Sequence, residues 1–170
     1  PGVRDGRVER VGLVGLRRVR GQREVQDAQV ERGLVVDGER DADGMLQIVR
    51  NPKTGRADTA TVLSTTRIGD FEAVIDDIIA SCVLQSIDTG AISAELGPGQ
   101  FEINFNHHAD VLRAADETCL FKRIVVEIAK KHGMCASFIA KPLLDFAGNG
   151  LHMHISVVDQ HGENIFADGD

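Results

Sequence analysis

Metal-ligating and proton-handling residues recur at strand spacing in the second half of this chain. Glu102 alternates with Phe101, Ile103 and Phe105, while His152, His154 and Ser156 alternate with Leu151, Met153, Ile155 and Val157. Period-two alternation puts one set on each face of a strand, with same-face neighbours roughly 7 Å apart. Two imidazoles at that spacing can serve one ion or two adjacent groups. A further carboxylate, Glu95, precedes Glu102 across a Gly-Pro-Gly break. Carboxylates with imidazole suit Mg²⁺ or Mn²⁺ where oxygen donors dominate. The Gly148-Asn149-Gly150 loop beside the histidines would allow close backbone approach by an anion. Spacing alone leaves other readings open: any one-sided sheet alternates in this way, and a cupin-like metal barrel also carries such His and Glu pairs.

These residues need elements to position them. Asp70 is expected to N-cap a helix whose apolar face is Phe71, Val74, Ile75, Ile78, Ile79, Cys82 and Val83. Strands are expected over 91–96 and 100–106, separated by Gly97-Pro98-Gly99. A long helix follows from about Ala109 to His132, stopped by Gly133 at its C′ position. Strands over 134–140 and 150–158 complete the pattern, and Met45 to Val49 suggests a further short one. The order of elements implies an α+β or α/β domain.

The chain has 170 residues, 42% of them hydrophobic, enough for one domain with a core. A formal net charge of −7 argues against nucleic-acid and membrane-surface partners, which favour basic patches. Cys82, Cys119 and Cys135 lie far apart without CxxC spacing, as expected of reduced thiols in a cytoplasmic protein. Residues 1–40 use only nine residue types, with nine Arg and nine Val, and all nine types have codons beginning with G or C. A GC-rich gene read out of frame produces that bias. The segment is therefore expected to be a frameshift product or a disordered Arg-rich arm, without secondary structure, and the domain to occupy 41–170.

The ordered motifs Glu95-Leu-Gly-Pro-Gly-Gln-Phe-Glu102, Ala114-Ala-Asp116, Phe121-Lys122, His132-Gly133, Ala140-Lys-Pro142 and Gly148-Asn-Gly-Leu-His-Met-His154 resemble the glutamine synthetase family. Gly-Pro-Gly-Gln-Phe-Glu and the His-Gly-Met before the Lys-Pro strand are most like its γ-glutamylpolyamine (γ-glutamylputrescine) synthetase branch. The resemblance implies part of an α+β catalytic domain, a curved antiparallel sheet carrying the active site and flanked by helices. It implies an ATP-dependent ligase that forms a γ-glutamyl amide from glutamate and a polyamine or ammonia, through γ-glutamyl phosphate. It also implies two Mg²⁺ or Mn²⁺ per complete site, a homo-oligomer and a cytoplasmic location.

By the same resemblance, Glu95 and Glu102 hold the first metal and His152 the second. His154 and Ser156 lie close to ATP, and Gly148 and Gly150 against glutamate. Ala147 stands where many members have Asn, and Asn149 where Ser is usual. No residue is assigned as the base for the amine. The family's Glu-x-Glu metal strand should lie just upstream of Asp41, where Glu39 alone does not restore it; the phosphate-binding arginines and another metal-binding Glu would follow Asp170. The expectation is a domain truncated at both ends, a fragment or gene remnant that is inactive and poorly soluble by itself.

Overall fold

The computed structural model describes residues 24–37 (as backbone), 42, 47–59 and 61–166. In chain order the elements are β1 (Glu24–Asp37), α1 (Thr65–Asp70), α2 (Glu72–Leu84), β2 (Thr89–Ala94), β3 (Gln100–Phe105), α3 (Val111–Lys131), β4 (Cys135–Ser137) and β5 (Leu151–Val158). The strands form one antiparallel sheet ordered β2-β3-β1, with β4 and β5 sharing the far edge of β1. This is the α+β architecture expected.

The central strand corrects the sequence reading. β1 falls inside the segment expected to carry no secondary structure, and it pairs with three other strands. A period-two signal was present there. Ala28, Val30, Leu34 and Val36 occupy register positions paired with Ile155, Met153, Phe101 and Ala136, all apolar. Arg32 alone breaks the series, opposite Ile103 and Leu151. The frameshift reading of residues 1–23 lies outside the described residues, as do Met45 and Leu46 of the suggested short strand. Of that strand's remainder, Val49 is a buried core residue outside any strand.

One face of the sheet packs on the helices. Phe101, Ile103 and Phe105 of β3 are buried with Phe71, Val74, Ile75, Ile78 and Cys82 around α2 and with Phe121, Ile124 and Val125 of α3. Phe71 meets Phe101 edge-on at 5.1 Å between centroids, and Phe105 meets Phe121 at 5.0 Å. Asp110 caps α3 by accepting from the backbone N–H groups of Leu112 and Arg113, and Gly133 follows the helix at φ +71°.

Smaller corrections concern helix ends. Asp70 does not cap α2; it ends α1, which Ser64 caps, and its carboxylate accepts from Asn51 Nδ2 at 2.6 Å. Phe71 separates the two helices and caps α2 without a side-chain bond. Burial also departs from the pattern on β5, where Leu151, Met153 and Ile155 remain 45%, 50% and 51% exposed instead of forming a core face.

Candidate functional site

The face of the sheet turned away from the helices carries the candidate residues. Directly paired residues of antiparallel strands share a face. Ser93 of β2 pairs with Glu102 of β3, and Glu102 with Gly33 of β1. Two positions along, Asn104 pairs with Glu31, and Glu31 with His152 of β5. His154 and Ser156 continue the same face opposite Gln29 and Asp27. Glu102, His152, His154 and Ser156 thus share the non-core face, as their alternation implied. His152 lies two strand spacings from β3, about 10 Å across β1.

Glu95 reaches this face from the turn after β2. Its Oε1 accepts from Ser93 Oγ at 3.1 Å, which draws its carboxylate toward the residue paired with Glu102. Both glutamates are half-buried. A buried Asn104 Oδ1 on the same face has no hydrogen-bond partner among the described residues. Two carboxylates and an unpartnered amide oxygen are the hard donors that a divalent cation takes. They fit such an ion in part: among the described residues, no group of three His, Cys, Asp or Glu side chains is close enough to hold a metal.

The turn that joins the two glutamates is held from below. Arg67 and Asp58, 3% and 7% exposed, form a buried ion pair. Arg67 donates to Asp58 Oδ2 through Nε at 3.1 Å and Nη2 at 2.8 Å, and to the carbonyls of Glu95 at 2.7 Å and Gly97 at 2.8 Å. Asp58 Oδ2 also accepts from the Gly99 amide at 2.7 Å. Gly99 has φ +64°, a conformation that disfavours other residues.

Gln100 links this turn to the glycine loop. Its Oε1 accepts from the Gly97 amide at 2.8 Å, and its Nε2 donates to the Gly148 carbonyl and to Asn149 Oδ1, each at 3.0 Å. Asn149 Nδ2 in turn donates to the Ile139 carbonyl at 2.8 Å. Gly148 packs so closely that a Cβ would lie 2.5 Å from the Ala140 carbonyl oxygen. Gly150 lies beside the His152 ring, where a Cβ would come within 3.4 Å of Nε2.

Sequence reasoning found the alternating residues and missed Arg67, Asp58 and the linking role of Gln100. It also left out Glu31, which stands at the register position beside His152. No alternation of ligating residues marks Glu31 in the sequence, because Gly33, two positions on and opposite Glu102, brings no side chain.

The family model for the glutamine synthetase catalytic domain matches residues 25–170. The chain belongs to the glutamine synthetase family. Within that family, γ-glutamylputrescine synthetase PuuA of Escherichia coli K12 is 41% identical over 137 residues, 80% of this chain and 29% of that enzyme. Glutamate–isopropylamine ligase of a Pseudomonas species is 46% identical over 77 residues, 45% of this chain and 17% of that enzyme. Among solved structures, an ADP complex of GmaS superposes with a TM-score of 0.68 at 24% identity, covering 88% of this chain and 33% of GmaS. That likeness supports the fold. The chain therefore spans less than a third of the length of the two curated relatives. Among its described residues no helix is long and apolar enough to cross a membrane.

Proposed function

We propose that the protein acts as an ATP-dependent carboxylate–amine ligase that joins the γ-carboxylate of glutamate to an amine, with a polyamine such as putrescine as the first acceptor to test. One juxtaposition supports the reading most: Glu95 and Glu102 converge through Ser93 on the non-core face, and His152 shares that face across β1. Glu95 and Glu102 would hold one divalent cation, and His152 a second. Mg²⁺ or Mn²⁺ bound there would supply the positive charge that lets the anionic phosphoryl group and carboxylate approach each other.

The chain's own residues would orient the reactants. His154 and Ser156, further along β5, would contact ATP, and the Gly148–Gly150 backbone would lie against glutamate. The γ-phosphoryl group passes from ATP to the glutamate carboxylate, giving ADP and γ-glutamyl phosphate. The amine nitrogen then bonds to the acyl carbon, phosphate leaves, and the amine gives up a proton. A homo-oligomer and a cytoplasmic location complete the proposal.

The origin in a shifted reading frame expected for the Arg- and Val-rich segment 1–40 is proposed now only for residues 1–24, because the family model matches from residue 25 and β1 pairs with three strands. Sequencing the locus decides this: another frame should encode a family-like segment ahead of residue 25, and its absence from every frame would end the idea.

For acceptor choice, ADP release from ATP and glutamate should be measured with putrescine, isopropylamine and ammonia, using the longest protein that the gene encodes. A polyamine-type ligase gives its highest kcat/KM with putrescine. Preference for ammonia would favour the second reading, a glutamine-forming enzyme, which the family membership supports equally at its coarser level.

A further inference from the structure

Glu95 and Glu102 are separated by a turn containing two glycines and a proline, and strand pairing holds only part of it. Glu95 lies one residue beyond β2, and its backbone N–H donates to the Gln100 carbonyl at 2.9 Å, a tie at the turn's neck. Beneath the turn, one buried ion pair bonds backbone groups of Glu95, Gly97 and Gly99 simultaneously. The same guanidinium donates to the Thr61 carbonyl at 2.9 Å and lies 5.6 Å from the centroid of the Phe101 ring. The guanidinium therefore also lies over Phe101, which immediately precedes Glu102 in the chain.

A buried ion pair is an inefficient way to stabilise a fold, because desolvation offsets much of the attraction between the charges. What this pair does well is geometric. Arginine presents five N–H donors in a rigid plane, and here they meet three carbonyl oxygens and a carboxylate at fixed angles. Lysine would keep the charge but offer a single rotatable ammonium.

We propose that Arg67 and Asp58 are positioning residues that set the separation of the Glu95 and Glu102 carboxylates, and thereby the divalent-cation affinity of the site. This rests on the reading of those glutamates as metal ligands. Neither Arg67 nor Asp58 touches the cation; they act through the backbone of the turn between its ligands.

The test is a Mn²⁺ titration of the longest encoded protein, with free Mn²⁺ followed by electron paramagnetic resonance and folding checked by circular dichroism. Glu102→Ala tests the reading itself and should weaken the site strongly; an unchanged titration there overturns the metal assignment, whatever Arg67 does. Given that loss, folded Arg67→Lys and Asp58→Asn should each weaken Mn²⁺ about tenfold or more. Ile78→Ala, which opens the core at α2 away from the turn, should lower the melting temperature and leave the Mn²⁺ affinity unchanged. Wild-type affinity in Arg67→Lys and Asp58→Asn overturns the proposal, as does an equal loss in folded Ile78→Ala. Should both turn variants fail to fold, hydrogen exchange in the unsubstituted protein decides. Linkage requires bound Mn²⁺ to slow exchange at the Gly97 and Gly99 amides relative to α2, and unchanged exchange there overturns the proposal.

Discussion

At the scale of single residues, the candidate site sets half-buried carboxylates on a buried framework. Glu102 sits on the non-core face of β3, so its loss should remove function without removing the fold. Glu102→Ala is expected to lower ATP-dependent turnover about 10²-fold or more while leaving the melting temperature within a few degrees. Arg67→Met should do the reverse to stability. It strands the Asp58 carboxylate in the core, at a cost of about 3–5 kcal/mol in a denaturant melt. Cys82 offers a separate check. Burial pushes its thiol up to about 11, whereas Cys119 and Cys135 are exposed. Alkylation of the folded protein near neutral pH, read by mass spectrometry, should modify Cys119 and Cys135 and spare Cys82 until the chain is unfolded. Among these residues, Glu102 and His152 were legible because strict alternation marks a face. Arg67 and Asp58 were not, because a buried ion pair made by loop and helix residues nine apart leaves no periodic trace.

At the scale of elements, β3, α3 and β5 were legible for the same reason: their apolar residues repeat at two or 3.6. β1 was obscured by composition, since Arg32 interrupts the apolar series Ala28, Val30, Leu34 and Val36. The α2–α3 packing adds a contact that no local pattern announced. Asp77 of α2 accepts from Lys131 Nζ at 2.7 Å and pairs with His132 Nε2 at 2.8 Å, at the end of α3. Hydrogen bonds from Lys131 and then His132 hold the Asp77 carboxyl below its ordinary value. A depressed carboxylate pKa stabilises the fold above the unfolded value, near pH 4, and that contribution fades as pH falls through the folded pKa. The stability difference between the unsubstituted protein and Asp77→Asn should therefore be steady above about pH 5 and shrink below about pH 4. A gap that widens on acidification would contradict this clamp.

At the scale of the molecule, one sheet face is assigned to packing and the other to chemistry, with β1 joining the two halves of the site. The packing is uneven: α2 and α3 cover β3, whereas the aliphatic side of β5 is half exposed. Residues 25–170 expressed alone should consequently self-associate, and Ile155→Lys should reduce light scattering at equal concentration. The central claim is that this sheet face belongs to a ligase that activates glutamate by phosphorylation. Hydroxylamine trapping tests it most directly, because an acyl phosphate yields a coloured hydroxamate with ferric ion. The longest encoded protein should form γ-glutamyl hydroxamate only with glutamate, ATP and Mg²⁺ or Mn²⁺ together, and folded Glu102→Ala should not. Hydroxamate that forms without ATP, no hydroxamate from the complete mixture, or full activity in Glu102→Ala would contradict the account.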